Sequence, residues 1–281
     1  MTQRRPDWIK AKAPQGENYV EVKRLVESAK LHTVCQSANC PNIGECWHSR
    51  TATFMILGNT CTRNCRFCAV NHGKPDRVDE DEPRRVADAV THLKLHHAVI
   101  TSVTRDDLAD GGAHIFAETI RLIHQSLDKC SVEVLIPDLQ GDDAALKVVL
   151  DANPEILNHN VETVERCYPS VRPQAIYSRS LEVIRHAKRM APLVHTKSGI
   201  MVGAGEQWDE IVQTMRDLRS AQCDILTIGQ YLAPSGGHVP ISRYYTPEEF
   251  SELERIGLDM GFAHVESGPL VRSSYHADRQ I

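Results

Sequence analysis

Three cysteines, Cys61, Cys65 and Cys68, are spaced for joint metal ligation. Three residues separate the first two, two separate the last two, and the set follows an apolar, strand-like run. Thiolates are the usual protein ligands of iron–sulfur clusters. Because three thiolates cover only three corners of a [4Fe-4S] cube, one iron would stay open to a small molecule. The spacing of these downstream cysteines therefore predicts a cluster that takes part in chemistry.

A second cysteine set lies just before the first. These upstream cysteines, Cys35, Cys40 and Cys46, have four and five residues between them, and the two sets hold six of the nine cysteines. Such tight groups do not resemble a distributed disulfide framework, which a chain of 281 residues does not need. Metal or iron–sulfur ligation is therefore predicted for both sets, with redox disulfides as the alternative.

An alternation of strands and helices must position these cysteines. After a helix at residues 18–30, strand-like runs cover residues 53–57, 98–103, 132–136, 155–158, 193–202, 224–228 and 263–266. Helical patterns between them cover residues 82–93, 113–125, 142–152, 161–166, 206–220 and 247–261. Parallel neighbours need crossovers that are usually helical, so the order predicts an α/β fold with a parallel sheet, either open or curled.

Ligands of parallel α/β folds bind beyond the carboxyl ends of the strands, and the downstream cysteines follow the first strand at that edge. A zinc site closed by His72 is the structural alternative for them. It is disfavoured, because a zinc knuckle has no reason to lie at a catalytic edge. Lys197 and Arg105, at other strand ends, are possible contacts for a carboxylate or phosphate, with solvated charge as the alternative.

Composition narrows the class of protein. The chain is 25% charged and 41% hydrophobic with a net charge of -5, which is ordinary for a folded protein and gives no bias toward nucleic acid. The first residues lack the apolar core of a secretory leader, and no run approaches the roughly 18 apolar residues of a membrane span. These features predict a cytoplasmic location with neither a nucleic-acid nor a membrane partner.

The downstream cysteine run resembles the signature of the radical S-adenosylmethionine superfamily, and the strand count matches its partial (β/α)6, TIM-like barrel. The resemblance implies a [4Fe-4S] cluster whose open iron binds S-adenosylmethionine. It also implies cleavage of that cofactor to a 5'-deoxyadenosyl radical, which takes hydrogen from carbon. The protein would supply position, electrostatics and exclusion of water.

The upstream cysteines and the C-terminal motif Val-Arg-Ser-Ser-Tyr, residues 271–275, closely resemble the lipoyl synthase family within that superfamily, over residues 18–278. The resemblance implies an auxiliary [4Fe-4S] cluster on the upstream cysteines with Ser274 as fourth ligand and Ser273 as the near alternative. A serine oxygen is a harder ligand than a thiolate, so it marks the iron most easily released. Arg272 is implied to position substrate or to stabilise the serine alkoxide, a surface arginine being the alternative.

Other residues resemble the superfamily's contacts to S-adenosylmethionine. A glycine motif after the second strand would bond the amino group, polar residues after the fourth would bond the ribose or amino acid end, and an apolar residue of the fifth would flank adenine. Loop, helix-cap and core roles are the respective alternatives. In chain order the candidates are Asp110, Gly111, Gly112, Asn158, Asn160, Glu162 and Met201.

The resemblance implies insertion of sulfur at C6 and C8 of an octanoyl chain on a carrier lysine, with the auxiliary cluster consumed as the sulfur donor. Octanoylated lipoyl domains or the glycine-cleavage H protein, a low-potential electron donor and cluster-repair proteins are the implied partners. The alternatives are another radical enzyme with an electron-transfer auxiliary cluster, and a non-enzymatic iron–sulfur carrier or zinc scaffold. The implied division is an N-terminal extension at 1–50, a barrel at 51–262 and a C-terminal extension at 263–281.

Overall fold

A parallel sheet with helices packed against it forms the body of the protein. The computed structural model describes residues 4–49 and 51–280. Its strands are β1 (His32–Thr33), β2 (Thr53–Ile56), β3 (Thr60–Cys61), β4 (Asn71–His72), β5 (His97–Ser102), β6 (Ser131–Leu135), β7 (Ile156–Asn158), β8 (His195–Val202), β9 (Ile225–Gln230) and β10 (His264–Gly268).

Ten α-helices occur in the described part of the chain. They are α1 (Glu17–Ser28), α2 (Val34–Ser37), α3 (Ile43–His48), α4 (Glu82–Leu93), α5 (Ala113–Ser126), α6 (Asp143–Leu150), α7 (Tyr168–Val171), α8 (Tyr177–Met190), α9 (Trp208–Ser220) and α10 (Pro247–Asp259). Short 3-10 turns at Leu139–Gly141, Glu165–Cys167 and Ala277–Arg279 complete the regular structure of these residues.

The main sheet runs in the order β1, β2, β5, β6, β7, β8, β9, β10, with every neighbouring pair parallel except β1 and β2. In the described residues no pairing joins its two ends, so the predicted α/β partial barrel is confirmed. β1 and β10 carry the sheet into both predicted extensions. The three-part division of the chain stays a prediction.

Two apolar clusters hold the helices on the sheet. One joins β2, β5, β6 and their helices, and the other joins β8, β9, β10 and theirs. Alternate residues of β8 show the division, because Ile200 and Val202 belong to the second cluster, whereas Lys197, Gly199 and Met201 lie on the opposite face. The opposite faces of the strands therefore line the barrel interior.

The helical stretch predicted at residues 161–166 is wrong for residues 161–164, and the helical turns there begin only at Glu165–Cys167 and continue in α7. Glu162 forms a bridge to Ile200 there, and the main crossover helix, α8, begins only at Tyr177. Residue 162 has a positive φ of 65°, which interrupts a helix. The other predicted elements are found with their ends shifted by a few residues.

Candidate functional site

The downstream cysteines lie in a loop beyond the carboxyl end of β2, as predicted. Cys61 is the last residue of β3, and its carbonyl accepts from the Gly73 N–H at 2.9 Å. Two other loops fasten the segment, because the Arg66 N–H donates to the Val171 carbonyl at 2.8 Å and the Arg66 carbonyl accepts from the Val239 N–H at 3.0 Å. The loop is thus tied to the barrel at several points.

The three downstream thiols are electrostatic neighbours, and all nine cysteines are free. The Cys61 sulfur accepts backbone N–H groups of Arg63 at 3.4 Å and Thr104 at 3.3 Å. Burial raises the pKa of Cys65 to about 11 and of Cys68 to about 12. Metal must therefore displace protons from these thiols, and the N–H donors would favour the resulting thiolate.

A buried arginine inside the loop clamps it to two further strand ends. Arg63 donates to Asp106 at 2.7 and 2.9 Å and to Asp138 at 2.6 Å. Burial alone would raise the pKa of the Asp138 carboxyl. The contacts with Arg63 instead lower that pKa to about 2, so the carboxylate stays charged. The clamp orders the loop before any cluster binds.

The upstream cysteines lie on two short helices and the turn between them. Cys35 belongs to α2, Cys46 to α3, and Cys40 to the connection, and each thiol is an electrostatic neighbour of another. Burial raises the pKa of Cys35 to about 11 and that of Cys46 to about 12. The Thr53 N–H, at the start of β2, bonds to Cys35. This second group of thiols is thus anchored directly to the barrel.

The C-terminal motif reaches the upstream cysteines from the far end of the chain. The Asn42 side chain donates to the Leu270 carbonyl at 2.7 Å, and the hydroxyl of Tyr275 lies 3.5 Å from Glu45. Thr53 Oγ1 donates to Ser274 Oγ at 2.8 Å. Since the same threonine bonds Cys35, Ser274 lies on the side of the upstream cysteines.

Ser273 faces the other way. Its hydroxyl accepts from the Asn160 side chain at 2.6 Å, and Asn160 also donates to Glu162 at 3.1 Å. Arg272 lies between the upstream cysteines and Glu162. Cys40 and Glu162 both favour its positive charge, whereas burial lowers its pKa. The adjacent serines therefore contact different halves of the site.

Three of the predicted S-adenosylmethionine contacts come together at the barrel rim. The Met201 N–H donates to the Glu162 carbonyl at 2.8 Å, and the Glu162 N–H donates to the Gly199 carbonyl at 2.9 Å. Burial raises the pKa of Glu162, and Arg172, Asn160 and Arg272 oppose that rise. The rim thus presents a carboxylate, an amide and an apolar side chain in one place.

The glycine motif lies at the start of α5. Asp110 accepts the N–H groups of Gly112 and His114, both at 2.9 Å, and its pKa falls because these bonds and the His114 ring outweigh burial. Gly111 and Gly112 have φ values of 61° and 89°, and a Cβ on Gly112 would lie 2.3 Å from the Leu57 side chain. The positive φ values and this close approach explain why glycine occupies these positions.

Asn158 lies below the rim, inside the barrel. It donates to Glu133 at 2.9 Å, and Lys197 donates to the same buried carboxylate at 2.9 Å. Arg105 is paired with Asp107 at 2.8 Å. Asn158 and Lys197 thus serve a buried ion network, and contact of Asn158 with a ribose stays a prediction.

Sequence reasoning missed Arg172, in the loop after α7. Only 8% exposed, it donates to the carbonyls of Asn160 at 2.9 Å and Val161 at 3.2 Å, whereas its Nε has no partner in the described residues. It favours the charged forms of Cys65 and Glu162. No periodic pattern marks this residue, because its importance comes from the loop reaching over the rim.

The donor sets fit iron–sulfur clusters, because each is a group of soft thiols and one has a serine hydroxyl alongside. Among the described residues no three His, Cys, Asp or Glu side chains converge as they would on a single metal ion. No helix in residues 4–49 and 51–280 is long and apolar enough to span a membrane.

Two family models match the chain. The radical SAM superfamily model covers residues 55–218, and the model of the N-terminal domain of lipoyl synthase covers residues 1–40. The first contains the downstream cysteines and the second contains Cys35 and Cys40. The matches therefore divide the two cysteine sets much as the structure does.

Curated relatives match over nearly the full chain. The lipoyl synthase of Rubrobacter xylanophilus is 62% identical, with coverage of 98% of this chain and 86% of the relative. The lipoyl synthase of Koribacter versatilis is 58% identical, with coverage of 98% and 91%.

Solved structures show the same fold at low identity. Methylornithine synthase aligns with a TM-score of 0.56 and 15% identity over 89% of this chain and 79% of that one. The hydrogenase maturase of Carboxydothermus hydrogenoformans aligns with a TM-score of 0.56 and 14% identity, over 77% of this chain and 59% of the maturase. These structures show the fold alone, whereas the family models and the relatives that match over nearly the full chain show that it belongs to the lipoyl synthase family of the radical S-adenosylmethionine superfamily.

Proposed function

We propose that this enzyme inserts two sulfur atoms, at C6 and C8, into an octanoyl chain carried on a protein lysine, with an auxiliary cluster as the sulfur donor. The observation that carries the proposal is the pair of separate thiol groups, one in the barrel loop and one enclosed by both chain ends, with the C-terminal motif between them. A radical enzyme that uses one cluster for cleavage and another as a reactant needs such a division.

The downstream cysteines would hold one [4Fe-4S] cluster, and the upstream cysteines with Ser274 would hold the other. When bound, the first supplies the electron that splits S-adenosylmethionine into the hydrogen-abstracting radical, and the second supplies sulfur. Ser274 is preferred to Ser273 because Thr53 joins it to Cys35, while Ser273 is bonded to Asn160. Arg272, beside Cys40 and Glu162, would position the acyl substrate between the two sides.

The rim residues would bind S-adenosylmethionine. Arg172 is buried beside Cys65, and its Nε has no partner among residues 4–49 and 51–280, which suits the methionyl carboxylate. The backbone after Asp110 would accept the amino group, Asn160 and Glu162 the ribose, and Met201 would flank adenine. These side chains orient the cofactor, and their buried surroundings exclude water from the reacting carbon.

The proposed reaction determines which other proteins the enzyme needs. The substrate is an octanoylated lipoyl domain or glycine-cleavage H protein, a low-potential carrier supplies electrons, and repair proteins rebuild the auxiliary cluster. The reaction class requires them, since each product consumes two electrons from outside and two sulfur atoms from the enzyme.

Single-turnover mass spectrometry tests the function. Anaerobically reconstituted protein is mixed with S-adenosylmethionine, dithionite and an octanoyl-lysine peptide. We expect 5'-deoxyadenosine and a peptide carrying two sulfur atoms. No deoxyadenosine would refute radical chemistry, whereas deoxyadenosine without a sulfur-bearing peptide would refute lipoyl synthesis.

A further inference from the structure

A cleft of about 890 Å³ opens beside the downstream cysteine loop. Cys65 and Cys68 line it, together with residues 69–72 and the loop at residues 237–240. None of the rim or auxiliary residues assigned above is among the described residues that line it. The cleft therefore approaches the cysteine loop from outside the reaction cavity.

The cleft is lined by one arginine and two histidines, in a protein of net negative charge. Arg66, His72 and His238 contribute to its walls, and none of the described lining residues is Asp or Glu. Arg66 is exposed, and its guanidinium forms no ion pair within the described part of the chain. Because the whole chain has a net charge of -5, the exposed Arg66 on a wall whose described residues include no carboxylate would favour an anionic partner at this cleft.

The walls of the cleft are fixed to the cysteine loop. The His238 ring lies 3.1 Å from the Cys68 carbonyl, and its other ring nitrogen lies 2.8 Å from the Ser235 hydroxyl. Val239 bonds the Arg66 carbonyl at 3.0 Å. A partner bound here would lie directly against the loop that carries the downstream thiols.

We propose that this cleft is the docking surface for the electron donor, a small acidic one-electron carrier of the iron–sulfur or flavin class. The proposal rests on the function above, which needs an outside electron at the downstream cysteines. In each encounter the carrier is oxidised by one electron, the cluster that these cysteines would hold gains it, and no bond forms between the proteins. Transient redox complexes use small, charge-steered interfaces, as an open polar cleft provides.

The acyl carrier does not suit this cleft. Its octanoyl chain has to reach the space between the two cysteine sets, where Arg272, Ser273 and Ser274 lie, and the cleft is lined by none of them. The two protein partners would therefore use different faces of the enzyme.

The test uses the reconstituted holoenzyme and a purified acidic bacterial ferredoxin. Its dissociation constant is measured at low and high salt for wild type, Arg66→Glu and the control Arg185→Glu, an exposed arginine of α8. The rate of cluster reduction is followed optically with ferredoxin and, separately, with dithionite. Gly237→Asp adds a carboxylate to the cleft wall, where a Cβ would meet nothing closer than 3.7 Å.

We expect Arg66→Glu and Gly237→Asp each to raise the ferredoxin dissociation constant roughly three- to tenfold at low salt, with a smaller effect at high salt. Dithionite reduction should be unchanged, and Arg185→Glu should match wild type. Unchanged ferredoxin binding in both cleft variants would overturn the proposal, as would weaker binding of the octanoylated carrier instead. A wild type that binds ferredoxin in the cleft yet makes no sulfur product would contradict the proposed function alone.

Discussion

The two cysteine sets are held in different ways. The downstream set lies within eight residues of one loop, and the Arg63 clamp and neighbouring barrel loops fix it. The upstream set has no such buried ion pair among the described contacts and is held by neutral hydrogen bonds, such as those of Asn42 with Leu270 and of Thr53 with Ser274. A centre used repeatedly needs a rigid support, whereas one that is consumed has to be taken apart and rebuilt. The difference suits a catalytic cluster and a sacrificial one.

Removing one cysteine from each set should separate the two roles most strongly. We expect Cys65→Ala to abolish 5'-deoxyadenosine formation, because the cluster proposed for the downstream cysteines would lose a ligand. Cys40→Ala should retain deoxyadenosine formation and yield no sulfur-bearing product. Both products are measured by mass spectrometry. Loss of deoxyadenosine in both variants to the same extent would remove the proposed distinction.

Replacing Ser274, the proposed labile ligand, should keep the proposed second cluster but stop its consumption. We expect Ser274→Cys to retain an eight-iron protein, since a thiolate binds iron well, and to lose sulfur insertion. Ser273→Ala is the matched control and should keep insertion within a few-fold of wild type. Iron content and sulfur product are measured together. An unchanged lipoyl yield in Ser274→Cys would refute Ser274 as the labile ligand.

Substitution of Arg172 should weaken the binding of S-adenosylmethionine on the side of the downstream cysteines. We expect Arg172→Lys to raise the dissociation constant of S-adenosylmethionine roughly 10- to 100-fold, because a charge-assisted hydrogen bond contributes about 1.5–3 kcal/mol. Equilibrium binding is measured, with iron content and thermal unfolding as controls for structure. Unaltered affinity in a normally folded variant would exclude Arg172 as a contact to the cofactor.

A smaller effect should follow from His159, which supports the rim below Asn160. Its ring bonds the Ile136 carbonyl at 2.9 Å and the Ser180 hydroxyl at 3.1 Å, and burial lowers its pKa from 6.5 to about 4. As the pH falls, His159 therefore takes up a proton in the unfolded chain before it does so in the folded protein.

The free energy of unfolding should consequently decrease by about 2 kcal/mol between pH 7.5 and 5 on account of this residue. His159→Gln, which does not titrate, should show a shallower dependence on pH in denaturant titrations. Equal slopes for the variant and wild type would mean that His159 is not neutral and buried in the folded protein.

Much of the fold and both cysteine sets could be predicted because their signals are local. Spacing marks the thiols, and periodicity marks most of the strands and helices. Helix α8 was missed although Tyr177, Val183 and Ile184 are buried on one face, because its many charged residues obscured the apolar pattern. The positive φ of Glu162 also gave no signal in the sequence.

The contacts that assemble the site were beyond sequence reasoning. Arg63 lies between two cysteines in the sequence, but the residues next to it in the chain do not indicate that Asp106 and Asp138 are its partners. Likewise, the division of Ser273 and Ser274 between two sides depends on Asn160 and Thr53, which are distant in the chain. Long-range pairing of this kind follows from topology, so only the folded structure shows it.

Isotope labelling of the auxiliary cluster tests the central claim most directly. The protein is reconstituted with ³⁴S sulfide, freed of excess sulfide and allowed one turnover on an octanoyl-lysine peptide. Mass spectrometry should find both inserted atoms as ³⁴S in wild type and no sulfur product in Cys40→Ala. A product that carries sulfur of natural isotopic composition would contradict the assignment of the upstream cysteines as the holder of the sulfur donor.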